Sequence, residues 1–459
     1  MSTTTSRRNF LRTGGLVAAG MALGPALLTG CGATGRDGPL TVWWGRGYYE
    51  EEDLSATRMV EAWSEMTGRE VSIQFLSTPA MASKLTSSVE AGRPPDLAYH
   101  QNVRGSLFAH QGKLADVTDV VDSLALTPQA REAVRFRDDV RDVTSYFAVP
   151  LLSWTIPIFH WRSMLTDVGL DFADAPRDWD GYWNFWKDAQ ARAAAQPGSG
   201  NPYGVGWSLS SAMEDTPEFF QVLLKSTGAE LLDGRNEIDV DGAGVREGLE
   251  YTLRWITELY ADGYTPPDSI SWQSGGNNQV FHNNQVFMTP NGTLSIPGSI
   301  KDKDPERWAD IVTTPWPDAP VGGPTPAPVK FGRILCFEEA GRVDETKDLL
   351  SFIMREQNVQ QYLEDGRGRW YPTMSSLVEL PFWADNPDAN VRAVHRIFDG
   401  GTIQPDWREL SLGYSRVEDL NIWATALTRV LIEGRSVEDT TADTLRQIEL
   451  LGEQFNTRT

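Results

Sequence analysis

Tryptophan is the unusual quantity in this chain, 17 of 459 residues. Indole rings fill cores, and they also make flat apolar platforms at a binding site. Nucleophile and metal chemistry have weaker support. The five histidines, His100, His110, His160, His282 and His395, show no HExxH or similar ligand spacing. The chain has no GxSxG elbow, no phosphate loop and no GxGxxG after a strand. Asp239-Val240-Asp241-Gly242 glances at a calcium loop but lacks the remaining ligands, so it reads as a turn. Cys336, in the strand-like Arg333-Ile334-Leu335-Cys336-Phe337, reads as a buried inert thiol. Two carboxylates can come together from anywhere in a sequence, which keeps an aromatic-lined glycosidase as the enzyme alternative.

The N-terminus carries a different chemistry. Ser6-Arg7-Arg8-Asn9-Phe10-Leu11, a modest apolar run from Gly14 to Leu28, and Leu28-Thr29-Gly30-Cys31 follow in that order. This is the pattern of a twin-arginine export signal ending at a lipoprotein cleavage site. The run contains Gly20, Gly24 and Pro25 and falls short of the roughly 20 apolar residues that span a bilayer. The expectation is a signal over residues 1–30, lipid on the Cys31 sulfur, a tether over 31–38, and a chain anchored to the outer face of the cell membrane or in the periplasm.

These residues must be positioned by a scaffold, and the length allows two or three compact units. The formal charge of −22 repels phosphate backbones and anionic headgroups, which argues against a nucleic-acid partner. With Cys31 lipidated, Cys336 has no cysteine left to pair with, so no disulfide framework is expected. Leu40 to Trp44 reads as a buried strand and Ser55 to Thr67 as a helix stopped by Gly68. Val71 to Leu76 reads as a strand, Met81 to Ala91 as a helix, and Asp96 to Tyr99 as a third strand. This alternation predicts an α/β sheet with parallel strands, whose ligand crevice lies beyond the carboxyl ends of the strands. Ala148 to Trp161, an apolar run broken by Pro150 and Pro157, reads as an extended crossing between two lobes. Further helices are expected at Trp179 to Ala195 and Val245 to Asp262, with a strand at Tyr203 to Leu209 and two closing helices separated near Gly434.

Several fragments in this order carry a likeness to a known family. They are Leu40-Thr41-Val42-Trp43-Trp44, Met66-Thr67-Gly68, Ala91-Gly92-Arg93-Pro94-Pro95-Asp96-Leu97, Tyr146-Phe147-Ala148-Val149-Pro150, Phe159-His160-Trp161-Arg162, Tyr260-Ala261-Asp262-Gly263-Tyr264, Met288-Thr289-Pro290-Asn291-Gly292 and Arg367-Gly368-Arg369-Trp370-Tyr371-Pro372-Thr373. Over nearly all the chain beyond Cys31, the sequence resembles the extracellular solute-binding proteins of ABC importers typified by maltodextrin- and other sugar-binding proteins. The resemblance implies a type II periplasmic-binding-protein-like fold, two α/β lobes, each a mainly parallel sheet flanked by helices, joined by a hinge. It places 39–149 with 288–342 in lobe 1 and 150–287 with 343–459 in lobe 2. It also implies a carbohydrate or related polyol as solute, ABC permease subunits as partners, a monomer, no cofactor, no metal and no catalysis. The same fold with a peptide, polyamine or other small solute remains an alternative.

A sugar pocket needs aromatic planes for C–H faces and polar groups for hydroxyl edges. The family places cleft residues at strand ends, and from this the candidates follow. Trp44 ends the first strand, with Tyr48, Tyr49 and Glu50 in the next loop, residues that could equally cap a helix. His100, Gln101 and Asn102 follow the third strand, Trp154 follows Pro150 of the crossing, and Trp207 ends a later strand. Core packing or a solvated loop is the competing reading for each. Trp272 with Asn277 and Asn278 matches a region where relatives have Trp and acids. Asn291 and Gly292 match a family Asn-Gly, but Leu294 replaces the aromatic often found two residues later. Phe331 could restore that plane or Lys330 hold an anionic group, and Arg369 with Trp370 precedes a turn near the family's cleft.

Overall fold

Leu40–Gly45 supplies β-branched and aromatic residues that fit a pleated, half-buried surface, and it becomes β1, the strand around which the first sheet grows. The computed structural model describes residues 38–101, 105–196, 198 and 200–456. The expected signal, Cys31 and Asn102 therefore lie outside the described residues. β1 pairs in parallel with β2 (Val71–Leu76) and β3 (Leu97–His100). The helices Glu50–Thr67 and Thr78–Glu90 make the crossovers. Gly68 ends the first of them with φ 72°, a left-handed position that costs glycine little.

A hairpin of β4 (Arg135–Asp138) and β5 (Val143–Tyr146) precedes β6 (Val149–Trp154) and β7 (Ile158–Trp161). Then come β8 (Tyr203–Val205), β9 (Val286–Pro290), β10 (Ile311–Thr314), β11 (Ala327–Cys336), β12 (Tyr371–Pro372) and β13 (Ile403–Pro405). The first sheet has seven strands in the order β12-β6-β11-β3-β1-β2, with β13 on β11; the second has four, β10-β7-β9-β8. Thr155, Ile156 and Pro157 carry the chain from one sheet to the other, so the expected crossing lies inside the predicted run. Among the described residues no helix is long and apolar enough to cross a membrane.

Two expectations change. The sheets are mixed rather than mainly parallel, because β11 runs antiparallel to both β3 and β6, and β7 runs antiparallel to both its neighbours. Sheet membership also differs from the expected lobe limits. β6 belongs wholly to the first sheet, β9 and β10 to the second, and the chain rejoins the first at β11. Past residue 343 the chain serves both lobes: the helix Val343–Ile353 packs on Glu50–Thr67 and on β11, while Ala389–Asp399 packs on β10. Local periodicity marks strands and helices; it cannot say which distant strand each one joins.

Most of the tryptophans are core. Trp207 is fully buried, with ring centroids 5.4 Å from Trp255, 5.9 Å from Trp183 and 6.0 Å from Trp316. Cys336 is buried in β11, and burial pushes its thiol up to about 12, as befits an inert thiol.

His160 in β7 stacks on Phe172 at 4.2 Å and lies 5.5 Å from Trp186. Burial, then Arg162, lowers its pKa from 6.5 to about 3. The unfolded chain thus takes up this proton at a pH where the folded one refuses it, so stability is lost as pH falls below 6.5. His160→Phe is expected to remove that dependence. The stability difference between the parent protein and the variant should shift in the variant's favour by about 3 kcal/mol between pH 7 and pH 4. Parallel pH–stability curves from denaturant titration would refute this.

Candidate functional site

The carboxyl ends of β1, β3 and β6 point to one crevice, and the loops that leave them line it. Tyr48 follows β1, Gln101 follows β3, and Trp154 ends β6. Arg369 and Trp370 arrive just before β12. The facing wall comes from the second lobe: Glu214, Asp215 and Glu218 at the start of the helix Asp215–Ser226, Ser274 and Asn278 around the helix Gly276–His282, and Asn291 to Ser295 after β9. The described part of the chain forms one unit, and the cavity between these walls measures about 130 Å³.

Trp154 and Trp370 form adjoining planes, with centroids 5.5 Å apart and rings inclined at 70°. Trp370 is held by Glu52, the third residue of the helix Glu50–Thr67 and only 1% exposed. Glu52 Oε1 accepts from Trp370 Nε1 at 2.5 Å, and Oε2 accepts from Arg369 Nη1 at 2.9 Å and from the backbone N–H groups of Tyr48 at 2.6 Å and Tyr49 at 3.1 Å. The reach back to the helix start is one half of a capping box. The Arg369 guanidinium lies 4.1 Å from the Trp370 ring centroid, and its Nε donates to Thr293 Oγ1 of the opposite lobe at 3.3 Å.

The facing wall is polar and rich in acceptors. Asn291 Nδ2 donates to Thr293 O at 2.7 Å and to Ser295 Oγ at 3.0 Å, and Asn278 Nδ2 donates to Ser295 Oγ at 3.1 Å. Asn278 Oδ1 is buried with no partner among the described residues. Glu218 Oε1 accepts from Lys330 Nζ at 3.1 Å. Its other oxygen lies beside Gly292, where a Cβ would come within 3.0 Å of Oε2 and 3.7 Å of Trp154 Nε1. Gly292 therefore lets the loop after β9 pass close between aromatic and carboxylate. Burial, then Glu218 and Glu214, pushes the Asp215 carboxyl well above the usual range.

Of the residues proposed from sequence, the structure brings Tyr48, Gln101, Trp154, Asn278, Asn291, Gly292, Arg369 and Trp370 to the cleft. It keeps Trp44, Tyr49, His100, Trp207, Trp272, Asn277 and Phe331 away from it. Trp44 is fully buried with its ring 4.4 Å from Tyr99, because β1 is covered on both faces; Trp43, on the other side, lies under Lys84 Nζ at 4.1 Å. Tyr49 is buried behind the wall, its hydroxyl donating to Leu294 O at 3.4 Å. His100 is 2% exposed with Nε2 3.2 Å from Thr78 Oγ1, and burial, then Arg408 and Arg369, lowers its pKa to about 4. Trp207 is committed to the aromatic core of the second lobe, and Trp272 lies buried over Gly276. Asn277 is fully buried and donates to Pro290 O at 3.2 Å, a bond that holds the loop rather than facing the cleft. Phe331 packs with Ala130, Ala133 and Val329, since alternation along β11 turns it away from the side taken by Lys330.

Sequence reasoning missed Glu214, Asp215, Glu218 and Ser295 as lining residues. The acids of Glu214-Asp215-Thr216-Pro217-Glu218 look like an ordinary helix start. Only the position of that helix against β6 and the loop after β9 makes them a wall.

Residues 58–391 match the family described as bacterial extracellular solute-binding protein. No curated protein matches the chain. Among solved structures, a Thermotoga lettingae ABC transporter solute-binding protein bound to α-D-tagatose superimposes with TM-score 0.72 at 17% identity, over 90% of this chain and 99% of that one. The GacH receptor of Streptomyces glaucescens, solved unliganded and with acarbose, gives 0.68 at 20% identity over 91% and 99%. A sugar transporter from Arthrobacter chlorophenolicus with bound laminaribiose gives 0.70 at 16% identity over 90% and 99%.

Proposed function

The chain belongs to the bacterial extracellular solute-binding protein family, and from that premise we propose that it captures a carbohydrate, a mono- or short oligosaccharide or related polyol, between its lobes. It passes the solute unchanged to ABC permease subunits, working as an exported monomer tethered through lipid on Cys31. One observation carries the reading: two inclined indole planes, Trp154 and Trp370, face a wall of carboxylates, amides and hydroxyls supplied by the other lobe. Rings offer C–H faces to indoles and hydroxyl edges to polar groups. A cavity of about 130 Å³ is smaller than the roughly 300–1,000 Å³ of drug-sized sites, which favours a short solute. Solved proteins of this fold hold tagatose and laminaribiose, which supports the same class.

Because contacts come from both lobes, ligand binding favours whichever arrangement brings the lobes together, and a permease can read that arrangement. Thermal-shift and calorimetric titration with mono- and disaccharides and polyols should find a stabilising solute that is recovered intact. Trp154→Ala should weaken that solute at least about tenfold, or about 1.4 kcal/mol. Absence of stabilisation by every sugar would refute the reading, and conversion of a bound glycan to product would favour the glycosidase alternative.

A further inference from the structure

The cleft has an acidic edge made by Glu214, Asp215 and Glu218. Lys330 is 2% exposed, and its Nζ lies 3.1 Å from Glu218, 3.5 Å from Asp406 and 3.6 Å from Glu418; Arg408 adds a second cation 3.2 Å from Glu418. Lys225 and Arg333 also act on Asp406, so this buried group has its own cations, and Glu214 and Asp215 stand outside it. Arg369, the cation among the lining residues, is committed to Glu52 and Thr293. No ion pair links Glu214 or Asp215 to a described residue, and among the described residues no group of acids is arranged to hold a metal ion. A positive charge would have to arrive with the solute.

Resting on the carbohydrate reading above, we propose that the solute carries a protonated amine, as in an amino sugar or an aminocyclitol glycoside, and that Asp215 with Glu214 receives it. A second observation points the same way. Asn278 is 6% exposed and lines the cleft; its amide nitrogen is taken by Ser295 while its buried Oδ1 has no partner, so the site presents one more acceptor to a donor that the solute must supply. Beside these acceptors stands the ring of Trp154, whose quadrupole attracts a cation and disfavours an anion, while the Trp370 ring already carries the Arg369 guanidinium 4.1 Å from its centroid. A neutral hydroxyl could accept the geometry, but it would leave Asp215 crowded by Glu218 and Glu214. An ammonium relieves that repulsion, and the opposite charge of the carboxylates makes its hydrogen bond the stronger one.

The test is calorimetric titration of the full chain at neutral pH with matched probes: glucose and glucosamine, galactose and galactosamine, and the N-acetylated form of each amine. In at least one pair the amine should bind about tenfold or more tightly than its parent, N-acetylation should remove the gain, and Asp215→Asn should shrink the amine-to-parent ratio to about threefold or less. The probe series on the unaltered protein decides the matter if the variant does not fold. Parent sugars that bind as tightly as their amines in both pairs overturn this inference and leave the carbohydrate reading standing. Absence of binding by every probe overturns this inference, and the carbohydrate reading falls with it only if the disaccharides and polyols of the wider panel also fail to bind.

Discussion

Glu52→Ala should unfold about 3–5 kcal/mol more easily than the parent protein and bind its solute more weakly. The carboxylate is 1% exposed and accepts from four donors: Arg369, Trp370 Nε1 and two backbone N–H groups at the start of the helix Glu50–Thr67. Truncation leaves the Arg369 guanidinium, its side chain 10% exposed, with Thr293 as its remaining polar contact. An uncompensated buried charge dominates that cost, and the lost helix-start contacts add about 1 kcal/mol. Trp370 also loses the bond that fixes its ring against Trp154, so the affinity loss follows from the same deletion. Glu52→Gln keeps one acceptor without the charge and should fall between the two. Urea unfolding checks the stability half, with a shifted midpoint at constant m-value expected. A change under about 1 kcal/mol would show that Arg369 finds another partner and that Glu52 is not the organiser of this wall.

The behaviour of Glu52 shows what a sequence discloses and what it withholds. Its helix is readable only from Ser55, five residues after the start at Glu50, whereas Gly68, Gly263 and the closing helices split near Gly434 are readable because capping and periodicity are local. The observed helices Val245–Ala261, Ile422–Leu431 and Val437–Phe455 fall where those signals put them. The cleft is a product of long-range pairing. Trp154 is positioned by β6 lying between β11 and β12, strands that begin about 170 and 220 residues later. The strand-end rule therefore points to Gln101 and Trp154, which line the cleft, and also to Trp44 and Trp207, which lie in the core. Whether a strand-end tryptophan faces the crevice or the core depends on what covers the sheet above it. Phe331 was misjudged by one residue of alternation, since its neighbour Lys330 is the one that faces the other lobe.

Lys330 leads to the second large effect, because it is the cation through which the two lobes share buried charge. Lys330→Met should destabilise the protein by about 3–5 kcal/mol near pH 7, since it removes the buried cation that Glu218, Asp406 and Glu418 share. Burial by itself would lower the lysine's pKa; Asp406, Glu218 and Glu418 outweigh it and hold the ammonium above its ordinary value. The converse holds for Glu418, which burial, against the pull of Lys330, raises above its usual 4.5. Without the lysine, Glu418 must rise further. A carboxylate whose folded pKa exceeds its unfolded value destabilises the fold as pH rises from the unfolded value through the folded one. The deficit of Lys330→Met should therefore shrink on going from pH 7 to about pH 5, as Glu418 takes up its proton. Paired denaturant titrations at the two pH values measure it. A deficit that stays constant with pH would mean that the acids are solvated rather than buried together. Because Glu218 also lines the cleft, the same substitution should loosen solute binding: the bond that ties this carboxylate to β11 is what sets its angle toward Gly292 and Trp154.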